Sequence, residues 1–125
     1  HVFMSTDAAG GVWTYALDLV RALSTPGITV TLGVLGPSPS ISQQRDAAAV
    51  TSLDLQIINL PLDWTASDPT QLDDVSSGLQ HMAAACGADL VHLNAPAHAG
   101  RQRWKQPLVV TCHSCVATWW RALSK

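Results

Sequence analysis

Short apolar runs alternate with stripes of helical period along nearly the whole chain, and this alternation limits the possible folds more than any other feature. HVFMS (1–5) is an apolar run leading into STDAAGG. VWTYALDLVRAL (12–23) then places Trp13, Ala16, Leu17, Val20 and Leu23 on one helical face. Pro26 and Gly27 close that helix, and ITVTLGVLG (28–36) follows as a β-branched buried strand stopped by PSPS. A weaker Ala-rich helix over about 41–50 leads to a strand at LQIINL (55–60) and the loop PLDWTASDP. QLDDVSSGLQHMAAACG (71–87) aligns Leu72, Val75, Leu79, Met82 and Cys86, with Gly87 in the C-cap position. ADLVHLN (88–94) and PLVVTCH (107–113) read as two further buried strands around the polar loop AGRQRWKQ, and CVATWWRALSK returns to helix.

Strands separated by helices are βαβ units, and their sheet is parallel and covered on both faces. Right-handed crossovers lead to an α/β fold with a Rossmann-like, doubly wound parallel sheet of expected order 3-2-1-4-5. Ligands of such sheets bind beyond the carboxyl ends of the strands, here near the switch between strands 1 and 4.

The chain's 125 residues suffice for one domain with a core. Apolar residues at 47% against 13% charged exclude a disordered chain, and a net charge of −2 gives no electrostatic case for nucleic acid or anionic lipid. No apolar run approaches the ~20 residues of a transmembrane span, and the N-terminus lacks the pattern of a secretory signal. The chain opens at His1 inside a strand and stops at Lys125 inside a helix, so a piece of a longer protein is expected. All nine acidic residues are Asp, so a mechanism requiring Glu cannot be completed within these residues. Three cysteines, Cys86, Cys112 and Cys115, favour a reducing compartment, and a cytoplasmic location is expected.

Chemistry is therefore sought at the strand ends. The first strand runs into Thr6-Asp7-Ala8-Ala9-Gly10-Gly11 immediately before a helix. Two readings stand for the glycines: a cradle for a phosphate or sugar hydroxyl at a helix N-terminus, or a tight turn that needs glycine for geometry. A dinucleotide site is disfavoured, because the G-x-G-x-x-G spacing is absent and the second strand ends in Leu35-Gly36-Pro37-Ser38 without a carboxylate. His92 and Asn94 end the fourth strand, with His98 close behind, and His113 ends the fifth. These groups are expected to border the same crevice as the glycines.

Cys112 and Cys115 flank His113 at a helix start, as a thiol-redox pair would. A thioredoxin-like fold needs further strands after its pair, and a zinc site would need a second cysteine pair, so no metal is expected and both thiols read as packing residues. Arg101, Arg103 and Lys105 read as a solvated loop. Asp63-Trp64 offers an aromatic face and a carboxylate suited to a sugar ring. Trp119 and Trp120 lie about 100° apart on a helix, so one of them is expected to face a partner surface.

Taken in order, these segments resemble the N-terminal domain of family 4 (group 1) glycosyltransferases. AAGGVWTYALDLVRALSTPGITVTLGVLG is similar to that family's opening βαβ, DLVHLN to its Asp-hydrophobic-hydrophobic-His strand, and VVTCHS to its strand ending in Thr-x-His. Asn94 stands where a second histidine is common. The resemblance implies one half of a GT-B fold, with residues 1–125 as the acceptor-side domain and a C-terminal donor-binding domain outside this chain. By position it implies that Gly10 and Gly11 approach the donor diphosphate and that the catalytic His113 contacts the donor sugar. It also implies that His92, Asn94, Asp7 and Trp13 line the acceptor side. The substrates would be a nucleotide-sugar donor and an unidentified acceptor, transferred with retention and without a cofactor. The family's Glu-x7-Glu motif belongs to the other half, so these residues alone should not catalyse. Two rival readings are a stand-alone small-molecule binding module of the same fold and a thiol-redox or metal protein centred on Cys112 and Cys115.

Overall fold

The computed structural model describes residues 1–113 and 121–124. Five strands form one parallel sheet in the order β3-β2-β1-β4-β5, as the alternation of periods required. They are β1 (Val2–Asp7), β2 (Val30–Leu35), β3 (Leu53–Ile57), β4 (Leu90–Leu93) and β5 (Leu108–Val110). The crossovers carry α1 (Gly11–Ser24), α2 (Ile41–Ala48) and α3 (Pro69–Ala85), and a 3-10 turn at Pro96–Ala99 follows β4. Val2 pairs with both Val30 and Leu90, so β1 is central.

Each face of the sheet has its own core, because side chains alternate along a strand. Phe3, Val91 and Leu93 meet Val75, Leu79 and Ala83 of α3 on one face. Met4, Leu32 and Val34 meet Trp13, Ala16, Leu17 and Val20 of α1 on the other. Burying side chains of this size stabilises by roughly 1.5–3 kcal/mol each.

Helix ends follow local chemistry. Ser40 and Gln43 form a reciprocal capping box on α2. Asp68 caps α3 by accepting from the N–H groups of Thr70 and Gln71, with Pro69 in its first turn. The Thr70 hydroxyl and these N–H groups hold the Asp68 carboxyl below the usual range. Gly87 follows the Cys86 C-cap at φ 67°, in the left-handed region expected there.

Three expectations are corrected. The fifth strand is only Leu108–Val110, and Val109 and Val110 are 43% and 41% exposed rather than buried, because β5 lies at the sheet's edge. The third strand runs from Leu53 to Ile57, earlier than expected, and as the opposite edge it has no fully buried residue. Cys112 is exposed beyond the end of β5 and is not a packing residue, whereas Cys86 is half-buried against α3. The expectations for Cys115, Trp119 and Trp120 lie outside the described residues.

Candidate functional site

The carboxyl ends of β1, β4 and β5 open into a cleft lined by both strand ends and loops. Ser5, Thr6 and Asp7 come from β1, Asn94 and His98 from the region after β4, and His113 from beyond β5. Leu62, Asp63 and Trp64 close it from the loop after β3.

Loop side chains reach the cleft because their backbones are tied down. Gly36 adopts φ +72°, and a Cβ there would lie 2.6 Å from Leu62, so glycine lets Leu62 seat against the end of β2. The Thr65 hydroxyl accepts from the Leu62 N–H and donates to the Leu62 carbonyl, each at 3.0 Å, which fixes the turn that presents Asp63 and Trp64. The 3-10 turn holding His98 is pinned at its last carbonyl. Ala99 O accepts from Ser76 Oγ at 3.0 Å and from Trp104 Nε1 at 2.9 Å.

One group of polar side chains is satisfied internally. Asn94 Nδ2 donates to the Ser5 carbonyl at 2.8 Å, and the Asn94 N–H donates to Ser5 Oγ at 3.3 Å. Asn94 Oδ1 is then the acceptor that faces His113 Nε2 at 2.7 Å, so the histidine donates from Nε2. His92 Nε2 pairs with Thr111 Oγ1 at 2.8 Å. Tyr15 of α1 sets its ring edge-on to both imidazoles, with centroids 4.5 Å from His113 and 6.3 Å from His92. Burial, and secondarily the charge of His113, pushes the His92 pKa down.

A second group is left with open valences. His98 is 3% exposed, and neither ring nitrogen has a hydrogen-bond partner among the described residues. Burial drives its pKa down against the opposing pull of the Asp63 and Asp7 carboxylates. Asp63 Oδ1 is also buried and unpartnered. Asp7 Oδ1 accepts from the Ala9 N–H at 2.8 Å.

The geometry of the glycine turn bears on the reading that it needs glycine for its own conformation. Neither Gly10 nor Gly11 has a positive φ, and a Cβ added at either would meet nothing within 4 Å. The fold itself does not require glycine there. Gly10 is the N-cap of α1 and offers no side-chain cap, so N–H groups of the first turn face outward at the positive end of the helix dipole. The two missing side chains leave this helix start open to approach from outside.

The structure thus brings Asp7, Asn94 and His113 to the cleft, with Gly10 and Gly11 on the turn that follows Asp7. It does not bring Trp13 there. Trp13 is 5% exposed in the core under β1 and β2, because its stripe position points it into the sheet. His92 lies one layer behind the lining, on the α1 face, since its strand neighbours Val91 and Leu93 fill the α3 face. Sequence reasoning missed Tyr15 and Thr111 and gave His98 no role. Tyr15 was detectable as an exposed aromatic four residues after Gly11, but the partners of Thr111 and His98 are set by distant chain segments. Arg101, Arg103 and Lys105 are exposed, as a solvated loop requires. Among the described residues no group of three His, Cys, Asp or Glu could hold a metal ion, and no helix is long and apolar enough to cross a membrane.

Residues 10–125 match the family described as glycosyl transferase 4-like domain. No curated protein matches the chain significantly. The crystal structure of a glycosyltransferase from Rickettsia africae ESF-5 aligns with 91% of this chain at a TM-score of 0.60 and 15% identity. At that identity the likeness is one of fold. The chain spans 30% of the length of that structure's chain.

Proposed function

The chain belongs to the glycosyl transferase 4-like family, and from that premise we propose that it is the acceptor-side half of a retaining glycosyltransferase using a nucleotide-sugar donor. The observation that carries this reading is the unobstructed Gly10-Gly11 helix start beside the His113–Asn94 pair at the sheet's switch point. The first-turn N–H groups and the dipole of α1 suit the donor's diphosphate, where negative charge builds as the glycosidic bond breaks. His113 is the catalytic candidate next to the donor sugar. Asn94, bonded to both β1 and His113, fixes that imidazole's orientation and protonated nitrogen. Asp7 lines the acceptor side, and His92 supports the site from behind through Thr111 and Tyr15. Trp13 anchors α1 on the sheet.

In this reading a second Rossmann-like domain supplies the basic residues and the Glu-x7-Glu motif, so residues 1–125 alone bind weakly and do not turn over. The cytoplasm is the proposed location, where nucleotide sugars and reduced thiols coexist. The test begins with the coding sequence beyond Lys125. A second strand–helix array is expected, and the full chain should release nucleoside diphosphate from a nucleotide sugar only with an acceptor present. Gly11→Val and His113→Ala should each lower that rate by at least ~100-fold, the scale of removing one preorganised transition-state contact. A stop codon within a few dozen residues, or full rate in both variants, would overturn the reading.

A further inference from the structure

The buried groups that the proposed mechanism does not use lie together on the loop side of the cleft. His98 has two unpartnered ring nitrogens and Asp63 an unpartnered carboxylate oxygen, while Asp7 borders the same space. Buried polar groups without partners cost about 1–3 kcal/mol each, so an arrangement that keeps two of them together points to a ligand. The surrounding surface is mixed. Leu35 and Leu62 are apolar, Trp64 is 60% exposed at the rim, and among the described residues no Lys or Arg lines the cleft.

We infer that His98, Asp63, Asp7 and Trp64 form a subsite for a neutral hydroxylated ring, the acceptor's sugar or cyclic polyol, and that this subsite rejects acceptors carrying an anion there. The inference rests on the acceptor-side reading above and deepens it by naming the substrate class and the selecting residues. Three features of the subsite select hydroxyls. A neutral imidazole presents one N–H donor and one lone pair, and a hydroxyl answers both. Carboxylate oxygens accept from further hydroxyls. The Trp64 face covers the C–H surface of a ring. An ammonium group would satisfy the carboxylates but would leave the imidazole N–H without an acceptor. A phosphate or carboxylate would meet two negative charges, with no Lys or Arg among the described lining residues to offset them. The helix start at Gly10-Gly11 has the opposite preference, so on this reading the two places sort an anionic donor from an uncharged acceptor.

The test follows the His98 ring resonances by nitrogen NMR while the protein is titrated with methyl glucoside, glucosamine and glucose 6-phosphate. Methyl glucoside should shift the His98 ring, with glucose 6-phosphate at least ~10-fold weaker, a difference of about 1.4 kcal/mol. Asp63→Asn should weaken methyl glucoside and narrow that ratio, and His98→Gln should weaken methyl glucoside by a similar factor. Thermal melting checks that both variants fold, and the wild-type titration decides if they do not. Equal binding of glucose 6-phosphate, glucosamine binding ~10-fold tighter than methyl glucoside, or a His98 ring unmoved by all three would overturn the inference. Pyrophosphate separates the two levels of argument. If it shifts the Gly10 and Gly11 amides while no sugar moves His98, the subsite falls and the transferase reading stands. If neither responds, both fall.

Discussion

Two groups of polar side chains sit at the cleft or directly behind it and differ in one respect, whether the described residues complete their hydrogen bonds. Ser5, Asn94, His113, Thr111 and His92 answer one another, with Tyr15 packed against the imidazoles. His98 and Asp63 Oδ1 have no such answer among the described residues. The first group is explained by folding and holds the His113 imidazole in one orientation. The second costs stability, and on the inference above a ligand's hydroxyls answer it. Burial alone does not separate a structural histidine from a binding one, because His92 and His98 are both buried. The partners separate them.

Substitution at Asn94 should break the contrast most severely. Asn94→Ala removes the partner of the Ser5 carbonyl and of His113, and it should cost about 1–3 kcal/mol of stability in chemical denaturation. The His113 ring resonances should move with it. A cost near zero would mean that water replaces Asn94 and that the network holds nothing.

Acid should act on both groups together. His92 and His98 are buried with their pKa values pushed below the ordinary 6.5, so between those lowered values and 6.5 the unfolded chain binds protons that the fold does not. Their contribution to stability is therefore complete above about pH 6.5 and is lost as the pH falls through that window. Melting temperatures from pH 7.5 to 5 should fall accordingly, and a flat profile would contradict the burial of both rings.

His98→Leu sharpens the contrast through its sign. Removing an unanswered polar group of similar size should leave stability unchanged or raise it by up to about 1 kcal/mol, and the acid loss should shrink. Destabilisation by more than that would show that His98 is answered internally.

The smallest effect is expected at the glycine turn. Gly11→Ala adds a methyl group into open space in the first turn of α1, so stability should rise by a few tenths of a kcal/mol, less than the roughly 0.5–1 kcal/mol of a helix interior. Pyrophosphate binding should weaken at the same time. A loss of stability would restore the view that this turn needs glycine for its own geometry.

Much of the fold was legible in the residues. The stripe Trp13, Ala16, Leu17 and Val20 is the buried face of α1, Gly87 takes the left-handed position after α3, and the strand order follows from the crossovers. The site was legible where a strand end carries its own signal, as at Asp7, Asn94 and His113. Trp13 misled because an aromatic near a glycine turn is read equally well as a cleft wall or a core residue.

Local periodicity and turn chemistry act over a few residues, so the sequence by itself determined that this chain is a doubly wound parallel sheet with a cleft at its strand ends. Which edge strand stays exposed, which histidine finds a partner, and which loop carboxylate comes to rest against which imidazole were decided only by tertiary structure. Those outcomes depend on side chains brought together from far along the chain. Asn94 reaches Ser5 across 89 residues, and Asp63 influences His98 from a different crossover. No local pattern encodes such pairings, because their energy exists only once the sheet has assembled.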